Sequence, residues 1–115
     1  MLNHNPKLDL LFQALADPGR RGMGERLSLG PASVSELAQP LDMTLSAVVQ
    51  HLAVLEASGI VRSEKLGRVR TCRIEPEALS LVELWVNERR TNWERKLDRL
   101  GEFLAATPQD QGGKP

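Results

Sequence analysis

The chain of 115 residues has little of several residue types that mark particular protein classes. It contains one cysteine, no tyrosine and only 3% aromatic residues. A single cysteine, Cys72, excludes an internal disulfide framework and favours a reducing cytoplasm. No apolar run approaches the roughly 20 residues of a membrane span, and residues 1–6 lack the features of a secretory signal. We therefore expect a cytoplasmic protein with no membrane partner.

The sequence also lacks the residue sets that catalysis and metal binding require. We find no paired carboxylates, no nucleophile with a base and no phosphate-cradling glycine loop. Of the two histidines, His4 lies in a terminus expected to fray and His51 in a predicted helix. Arginines near Cys72 could activate it as a redox sensor, although an inert buried thiol is the commoner case. These absences predict a protein that is not an enzyme and has neither a cofactor nor metal ligands.

The chain has no net charge, but positive charge is concentrated in one segment. The 15 basic residues balance the 15 acidic residues, so the formal net charge is zero. Within residues 60–74, however, the only acid is Glu64, and the cations are Arg62, Lys65, Arg68, Arg70 and Arg73. A segment with this excess can bind phosphates, and such binding weakens strongly with salt.

Apolar periodicity predicts two helices in the first 30 residues. The first covers 7–16, and the second, capped by Asp17, continues to about residue 28. Gly22 and Gly24 lie inside this second helix, where each costs about 1 kcal/mol relative to alanine. We therefore expect a cavity or a looser helix near Gly24.

A helix-turn-helix follows. Ser33 and Glu36 form a capping box for a short helix that ends before Pro40. Thr44 is placed as the N-cap of the next helix, and Gly59 is suited to the left-handed position at its end. Its predicted buried stripe comprises Val48, Leu52 and Leu55.

Two strands and a long helix complete the chain. Residues 60–66 and 69–74 are rich in β-branched side chains, and Gly67 supplies the turn of a hairpin. A last helix is predicted over 76–106. The predicted fold is mainly α with a small β-hairpin, in the order α-α-α-α-β-β-α. Residues 7–106 form one domain, with a flexible N-terminus at 1–6 and a disordered tail at 107–115.

The last helix carries an apolar stripe that is wide for so small a body. The simplest partner is a second copy of the chain, joined through the first and last helices about a two-fold axis. The alternative is that the helix folds back over its own domain. The residues predicted for dimerisation are Leu8, Leu11, Phe12, Trp85, Trp93, Leu97, Leu100 and Leu104.

The order and spacing of several short motifs are specific together. They are Leu15-Ala16-Asp17-Pro18-x-Arg20-Arg21, Ser33-Val34-x-Glu36-Leu37-Ala38, Ser46-Ala47-Val48-x-Gln50-His51-Leu52-x-Val54-Leu55, Gly59-Ile60-Val61, Gly67-Arg68-x-Arg70 and Trp85-x7-Trp93-Glu94-x-x-Leu97-x-x-Leu100. With them, the chain resembles the ArsR-type winged-helix transcriptional repressors over about residues 8–104. The resemblance implies a homodimer that represses its promoter by occupying a pseudo-palindromic operator.

Departures from the family pattern are informative as well. Metal sensors of this family place a cysteine pair at the start of the third helix, or acidic and histidine ligands on the last helix. Here residues 33–39 contain no cysteine and the last helix contains no histidine. The chain therefore resembles the branch without metal ligands, and its small-molecule effector is unknown. Position 49, commonly serine in relatives, is Val49.

The candidate DNA-binding residues lie on the fourth helix and the hairpin. With Val48, Leu52 and Leu55 buried, the side chains free to face a major groove are Thr44, Leu45, Ser46, Val49 and Gln50. His51 either contacts DNA or has a half-buried structural role. Arg68 and Arg70 are predicted to contact phosphates or the minor groove, whereas Arg62, Lys65 and Arg73 are assigned to the opposite face.

The prediction is a DNA-binding regulator. The alternative is a winged-helix protein-interaction module with weak or no DNA recognition.

Overall fold

The structure, a computed structural model, describes residues 5–106. In chain order the elements are α1 (Pro6–Leu15), α2 (Pro18–Leu27), β1 (Ala32–Ser33), α3 (Val34–Ala38), α4 (Leu45–Ser58), β2 (Val61–Leu66), β3 (Val69–Ile74) and α5 (Pro76–Ala106). The mainly helical fold with a small antiparallel hairpin is confirmed. No helix within 5–106 is both long enough and apolar enough to cross a membrane.

One strand was not anticipated from the sequence. The two-residue strand β1 pairs antiparallel with β3, with Ala32 opposite Cys72 and Ser33 opposite Thr71. The sheet therefore has three strands in the order β1-β3-β2. Because two residues are too few to show an alternating pattern, periodicity could not reveal this strand.

The predicted helix caps are confirmed atom by atom. Asp17 Oδ2 accepts from the backbone N of Arg20 at 3.0 Å. In the capping box, Ser33 Oγ accepts from Glu36 N at 3.2 Å, and Glu36 Oε1 accepts from Ser33 N at 2.8 Å. Thr44 Oγ1 accepts from the N–H of Ala47 at 3.1 Å. These bonds satisfy donors that each helix start would otherwise leave exposed.

The start of α1 differs from the predicted flexible N-terminus at 1–6, whereas the end of α4 agrees with the prediction. Asn5 Oδ1 caps α1, which begins at Pro6, one residue earlier than expected. Gly59 ends α4 with φ of 87°, the left-handed conformation predicted for it. The remainder of the predicted flexible N-terminus, residues 1–4, and the predicted tail 107–115 lie outside the described residues.

The core lies among α1–α4 and the sheet. Its largest fully buried side chains are Leu11, Met23, Leu37, Leu52, Leu55, Ile60, Val48 and Cys72. Burial raises the pKa of the Cys72 thiol, which favours the unreactive protonated form. Cys72 is therefore a core residue rather than an accessible redox sensor.

The two glycines of α2 differ in their surroundings. A Cβ at Gly22 would lie 3.0 Å from Leu41 Cδ2, so the absence of a side chain there permits close packing. A Cβ at Gly24 would meet no atom within 4 Å. Helix α2 is continuous from Pro18 to Leu27 through both glycines, and the cavity or looser helix expected near Gly24 stays a prediction.

The chain divides into two compact units between Val82 and Glu83. The first contains the core, the sheet and the start of α5, where Ala78 is buried and Val82 packs against the core. Of the second unit, the structure describes the rest of α5, residues 83–106, and every side chain in this stretch is exposed.

Candidate DNA-binding site

Helix α4 turns one face inward and the predicted DNA-binding face outward. Val48, Leu52 and Leu55 are fully buried, as expected. The residues predicted to face the groove are all exposed: Thr44, Leu45, Ser46, Val49 and Gln50. The packing of α4 on the core therefore leaves its first two turns accessible to a large partner.

An open cleft joins the start of α4 to the hairpin. Its walls are Ser33, Val34 and Ser35 at the start of α3, Leu45 of α4, and Arg68, Val69 and Arg70 of the hairpin. The structure thus brings predicted residues from α4 and the hairpin to one surface. It adds the Ser33 and Ser35 hydroxyls, whose oxygens are 3.3 Å apart, and only the capping box marked this segment in the sequence.

The register of the hairpin corrects one assignment. Lys65 pairs with Arg70, and Arg62 pairs with Arg73, across the two strands. Directly opposed residues share a face of the sheet, so Lys65 lies with Arg70 and not with Arg62 and Arg73. The expectation for Lys65 was wrong because Arg62 and Lys65 are three positions apart on β2, so the alternation of side chains along a strand places them on opposite faces.

The face that carries Arg62 and Arg73 is neutralised within the chain. Arg73 Nη1 donates to Glu64 Oε1 at 2.8 Å, and its Nε donates to Glu75 Oε1 at 3.3 Å. The hydrogen bonds to Glu75 and Glu64 raise the pKa of Arg73. Arg62 Nε lies 3.7 Å from Glu75 Oε1. These two arginines therefore lie on the face of the hairpin opposite Arg70, as predicted, and pair with acidic side chains of the same chain.

Arg70 connects the hairpin to α4. Its guanidinium pairs with the carboxylate of Glu56, and its Nε donates to Ser63 Oγ at 2.9 Å. Ser63 Oγ in turn donates to Glu56 Oε2 at 3.0 Å. Arg70 was predicted to contact DNA; in this conformation its charge is satisfied by Glu56, a contact between helix and strand that no local sequence pattern indicates.

Arg68 has a different environment. It is exposed beside Gly67 at the turn and forms no ion pair within residues 5–106, and the same holds for Lys65. Once Glu56 and Glu75 are counted with Glu64, the five cations of the hairpin exceed nearby acids by two. The cationic character of the site is therefore smaller than the sequence suggested and is centred on Arg68 and Lys65.

His51 faces the start of α2. Its Nε2 lies 3.8 Å from Asp17 Oδ2, and a Cβ on Gly19 would approach that nitrogen to 3.1 Å. The pKa of Asp17 is lowered, chiefly by the hydrogen bond from the Arg20 backbone and to a smaller extent by the His51 and Arg20 charges. Of the two roles left open for His51, the half-buried structural role fits this geometry.

Arg20 and Arg21 cap the end of α1. Arg20 donates from Nε to the Ala14 carbonyl at 2.9 Å and from Nη2 to the Gln13 carbonyl at 3.0 Å. Arg21 Nη1 donates to the Leu15 carbonyl at 2.7 Å. Cations at a helix C-terminus interact favourably with its dipole, so both arginines have structural partners.

The residues predicted for dimerisation fall into two groups. Leu11 is fully buried in the chain's own core, so it cannot present its side chain to a second copy, and Leu8 is partly buried against the same core. The other six are exposed: Phe12, Trp85, Trp93, Leu97, Leu100 and Leu104. Arg89 stacks over the Trp85 ring at 4.6 Å.

Potential metal ligands are dispersed through the structure. Within residues 5–106, no group of three or more His, Cys, Asp or Glu side chains is placed to hold a metal ion. The only cysteine of the chain lies in the core.

Comparison with known proteins agrees with this architecture. Residues 15–64 match the family model described as a helix-turn-helix domain. The HTH-type transcriptional regulator Rv2034 of Mycobacterium tuberculosis is 42% identical over 102 residues, 89% of this chain and 92% of that protein. This relative is a transcriptional regulator, as predicted for a chain that is not an enzyme.

Solved structures agree as well. A crystal structure of an ArsR family transcriptional regulator, RHA00566, is 51% identical with a TM-score of 0.74, covering 82% of this chain and 97% of that one. An ArsR-like transcriptional regulator from Rhodococcus sp. RHA1 is 29% identical with a TM-score of 0.75, covering 84% and 92% of the two chains. The chain therefore belongs to the ArsR family of transcriptional regulators and has their winged helix-turn-helix DNA-binding fold.

Proposed function

We propose that this regulator is a cytoplasmic homodimeric repressor that binds a pseudo-palindromic operator and does not sense metals. One observation carries the DNA-binding part of this proposal: the exposed start of α4 and Arg68 of the hairpin line a single open cleft. In winged helix-turn-helix proteins the second helix enters the major groove while flanking elements contact the backbone.

On α4, base recognition rests on Gln50. A glutamine amide can form two hydrogen bonds with adenine in the major groove. Ser46 lies one turn earlier and Thr44 is the N-cap of the helix, and both hydroxyls can donate to phosphate oxygens there. The Thr44 oxygen already accepts from Ala47 N, but its hydroxyl hydrogen remains able to donate.

In the hairpin, Arg68 is the main phosphate contact, and Lys65 adds to the local positive charge. Arg70 reaches DNA only if its guanidinium leaves Glu56, since one charge cannot serve both partners fully. We therefore assign Arg70 first to holding the hairpin against α4, with phosphate contact as a secondary role.

The experiment compares two arginines of the same hairpin. Arg68→Ala is expected to weaken binding to all duplexes and to reduce the slope of log affinity against log salt by about one. Arg62→Ala is the matched control, because Arg62 already pairs with Glu75. Promoter binding is followed by fluorescence anisotropy at several salt concentrations. Equal slopes for wild type and Arg68→Ala would remove Arg68 from the interface, and no preference for promoter over random duplex would contradict the proposal itself.

The exposed apolar stripe of α5 supports the dimer. Within 83–106 the side chains of Trp93, Leu97, Leu100 and Leu104 are 46–59% exposed and recur at helical spacing. Burial of such side chains contributes roughly 25 cal/mol for each Å² removed from water. A two-fold arrangement of α5 and its symmetry mate would bury this stripe in both copies. Sedimentation equilibrium tests it, and a monomer at micromolar concentration would contradict it.

Repression is proposed from a relative, and metal independence from the dispersed positions of the potential ligands within residues 5–106. The arsenical resistance operon repressor of Escherichia coli is 37% identical over 67 residues, 57% of each chain. That protein is a repressor, which supports repression here, whereas the lack of clustered ligands in residues 5–106 argues against a shared metal response. In a promoter–reporter strain, deletion of the protein should raise expression, and zinc, nickel or arsenite should leave repression unchanged. Derepression by one of these would contradict metal independence.

The alternative function, a protein-interaction module, is favoured by the apolar side chains Leu45 and Val49 on the outer face of α4. The anisotropy experiment separates the two functions. A module of this kind would bind promoter and random duplex equally weakly, and a stoichiometric protein partner would be lost in Val49→Glu.

A further inference from the structure

The outer face of α4 carries no net charge along its first three turns. Residues 45–55 contain no lysine, arginine, aspartate or glutamate. The one titratable side chain, His51, faces Asp17. The first acid of the helix, Glu56, pairs with Arg70. If α4 lies in a major groove, it therefore recognises bases through neutral groups, while charge attraction comes from the hairpin.

Two large apolar side chains occupy this neutral face. Leu45 is 55% exposed and Val49 is 47% exposed, one helical turn apart. Isolated exposed apolar residues are ordinary on protein surfaces. These two are informative because they lie on the DNA-facing turns, and because Leu45 shares a cleft with Arg68, whose charge is suited to a phosphate.

The chemistry of the major groove allows one apolar partner for such side chains. Every base edge presents a hydrogen-bond donor, an acceptor or both there, and the thymine C5-methyl is the apolar group. Leucine or valine against a polar edge would remove water without replacing its hydrogen bonds, which is unfavourable. Against a methyl group, both surfaces gain from leaving water.

We propose that Leu45 and Val49 are specificity-determining residues that contact the methyl groups of two thymines in each operator half-site. This inference rests on the DNA binding proposed above. Four residues of helix rise about 6 Å along the axis, comparable with about two base steps of 3.4 Å. The two thymines are therefore close neighbours in the half-site, beside the adenine assigned to Gln50.

Deoxyuridine tests this directly, because uracil differs from thymine only by the missing methyl. The bound sequence is first selected from a random duplex library with the intact wild-type protein. Each thymine of the selected half-site is then replaced singly by deoxyuridine, and the dissociation constant is measured at fixed salt. We expect the replacement to weaken binding about two- to five-fold at two positions and to have little effect at the others.

Variants assign each methyl to its side chain. Val49→Ala should abolish the uracil effect at one position and Leu45→Ala at the other, as a double-mutant cycle requires for a direct contact. Gln50→Ala is the matched control on the same face: it should weaken binding overall yet preserve both uracil effects. Because all three side chains are exposed, the variants should melt within a few degrees of wild type.

Failure of methyl recognition and failure of DNA binding give different results in these experiments. If the library yields a preferred sequence but uracil is neutral at every position, methyl recognition is wrong and DNA binding stands. Methyl recognition by these two side chains is equally wrong if the uracil effects persist unchanged in both alanine variants. If no sequence is enriched and binding shows no preference, the proposed function and this inference fail together.

Discussion

Helices α4 and α5 are both amphipathic, but the apolar stripe of α4 is buried and that of α5 is exposed. In α4 the side chains of Val48, Leu52 and Leu55 are fully buried. In α5 every residue from 83 to 106 is exposed, although this stretch carries Trp93, Leu97 and other large apolar side chains. An amphipathic pattern thus predicts that a face will be buried, but not whether the partner lies within the same chain.

The difference separates two sources of stability. The stripe of α4 contributes to folding of the winged domain at any protein concentration. The stripe of α5 can contribute only when something covers it, so its contribution should depend on concentration if the partner is a second copy. Variants in the two helices can therefore be told apart by dilution.

The largest effect on folding is expected for Leu52→Ala in α4. Leu52 is fully buried, so its truncation removes apolar contacts and leaves a cavity. Such changes cost about 2–5 kcal/mol of unfolding free energy. Urea denaturation followed by circular dichroism measures the loss, which should persist on dilution of the protein.

Val49→Ala on the exposed face of the same helix is the control, and we expect it to change the unfolding free energy by less than about 0.5 kcal/mol. Equal losses for the two variants would contradict the assigned orientation of α4.

The second effect concerns association through α5. Leu97→Glu places a carboxylate in the proposed interface, where its desolvation is costly. We expect the dimer dissociation constant to rise about 100-fold or more, corresponding to roughly 2.7 kcal/mol. Sedimentation equilibrium measures the constant. The far-ultraviolet spectrum of the winged domain should be retained.

Arg95→Gln is the matched control for Leu97→Glu, because it changes the net charge by the same one unit on the side of α5 opposite the apolar stripe. A similar loss of dimer in both variants would indicate a general charge effect, and unchanged association of Leu97→Glu would exclude this stripe as the interface.

Most of the fold could be predicted from the chemistry of residues close together in the sequence. The caps at Asp17, Ser33 and Thr44 and the left-handed Gly59 follow from chemistry within a few residues, and all four are observed. The start of α5 at Pro76 also matches. Such features do not depend on what packs against them.

The unanticipated features all depend on distant partners. Strand β1 exists because β3 pairs with it. Arg70 is held by Glu56, fourteen positions earlier in the chain. Leu11 belongs to the core although its helix also carries the exposed Phe12. Of the candidate site, the sequence located the outer face of α4 and Arg68, but not which cations are neutralised by acids from other elements.

A smaller effect is expected at the N-cap of α4. Thr44→Ala removes the acceptor of the bond from Ala47 N and should cost about 1 kcal/mol of unfolding free energy. Thr44→Ser keeps the acceptor and should restore most of it. Thermal melts of the three proteins at one concentration compare them. A full loss in Thr44→Ser would mean that the methyl group, and not the cap, stabilises the start of α4.

The smallest effect on stability is expected for Asp17, the N-cap of α2 that lies near His51 of α4, and this effect depends on pH. The Asp17 carboxylate accepts from Arg20 N and lies 3.8 Å from His51 Nε2, and its pKa is lowered in the folded protein. The unfolded chain therefore binds this proton more readily than the folded one. The contribution of Asp17 is fully present above its unfolded value of about pH 4 and is lost as the pH falls through the lower folded value.

Asp17→Asn isolates this contribution, because asparagine is an equally good N-cap but carries no charge. The pKa of Glu36 is also lowered, so wild type and variant share that acid-dependent loss and the difference between them reports Asp17 alone. We expect wild type to melt slightly higher near about pH 6 and the gap to close as the pH falls through the lowered pKa of Asp17 in the folded protein. A gap that stays constant with pH would show that the Asp17 charge contributes nothing, and that α4 is held by its buried stripe and its own cap.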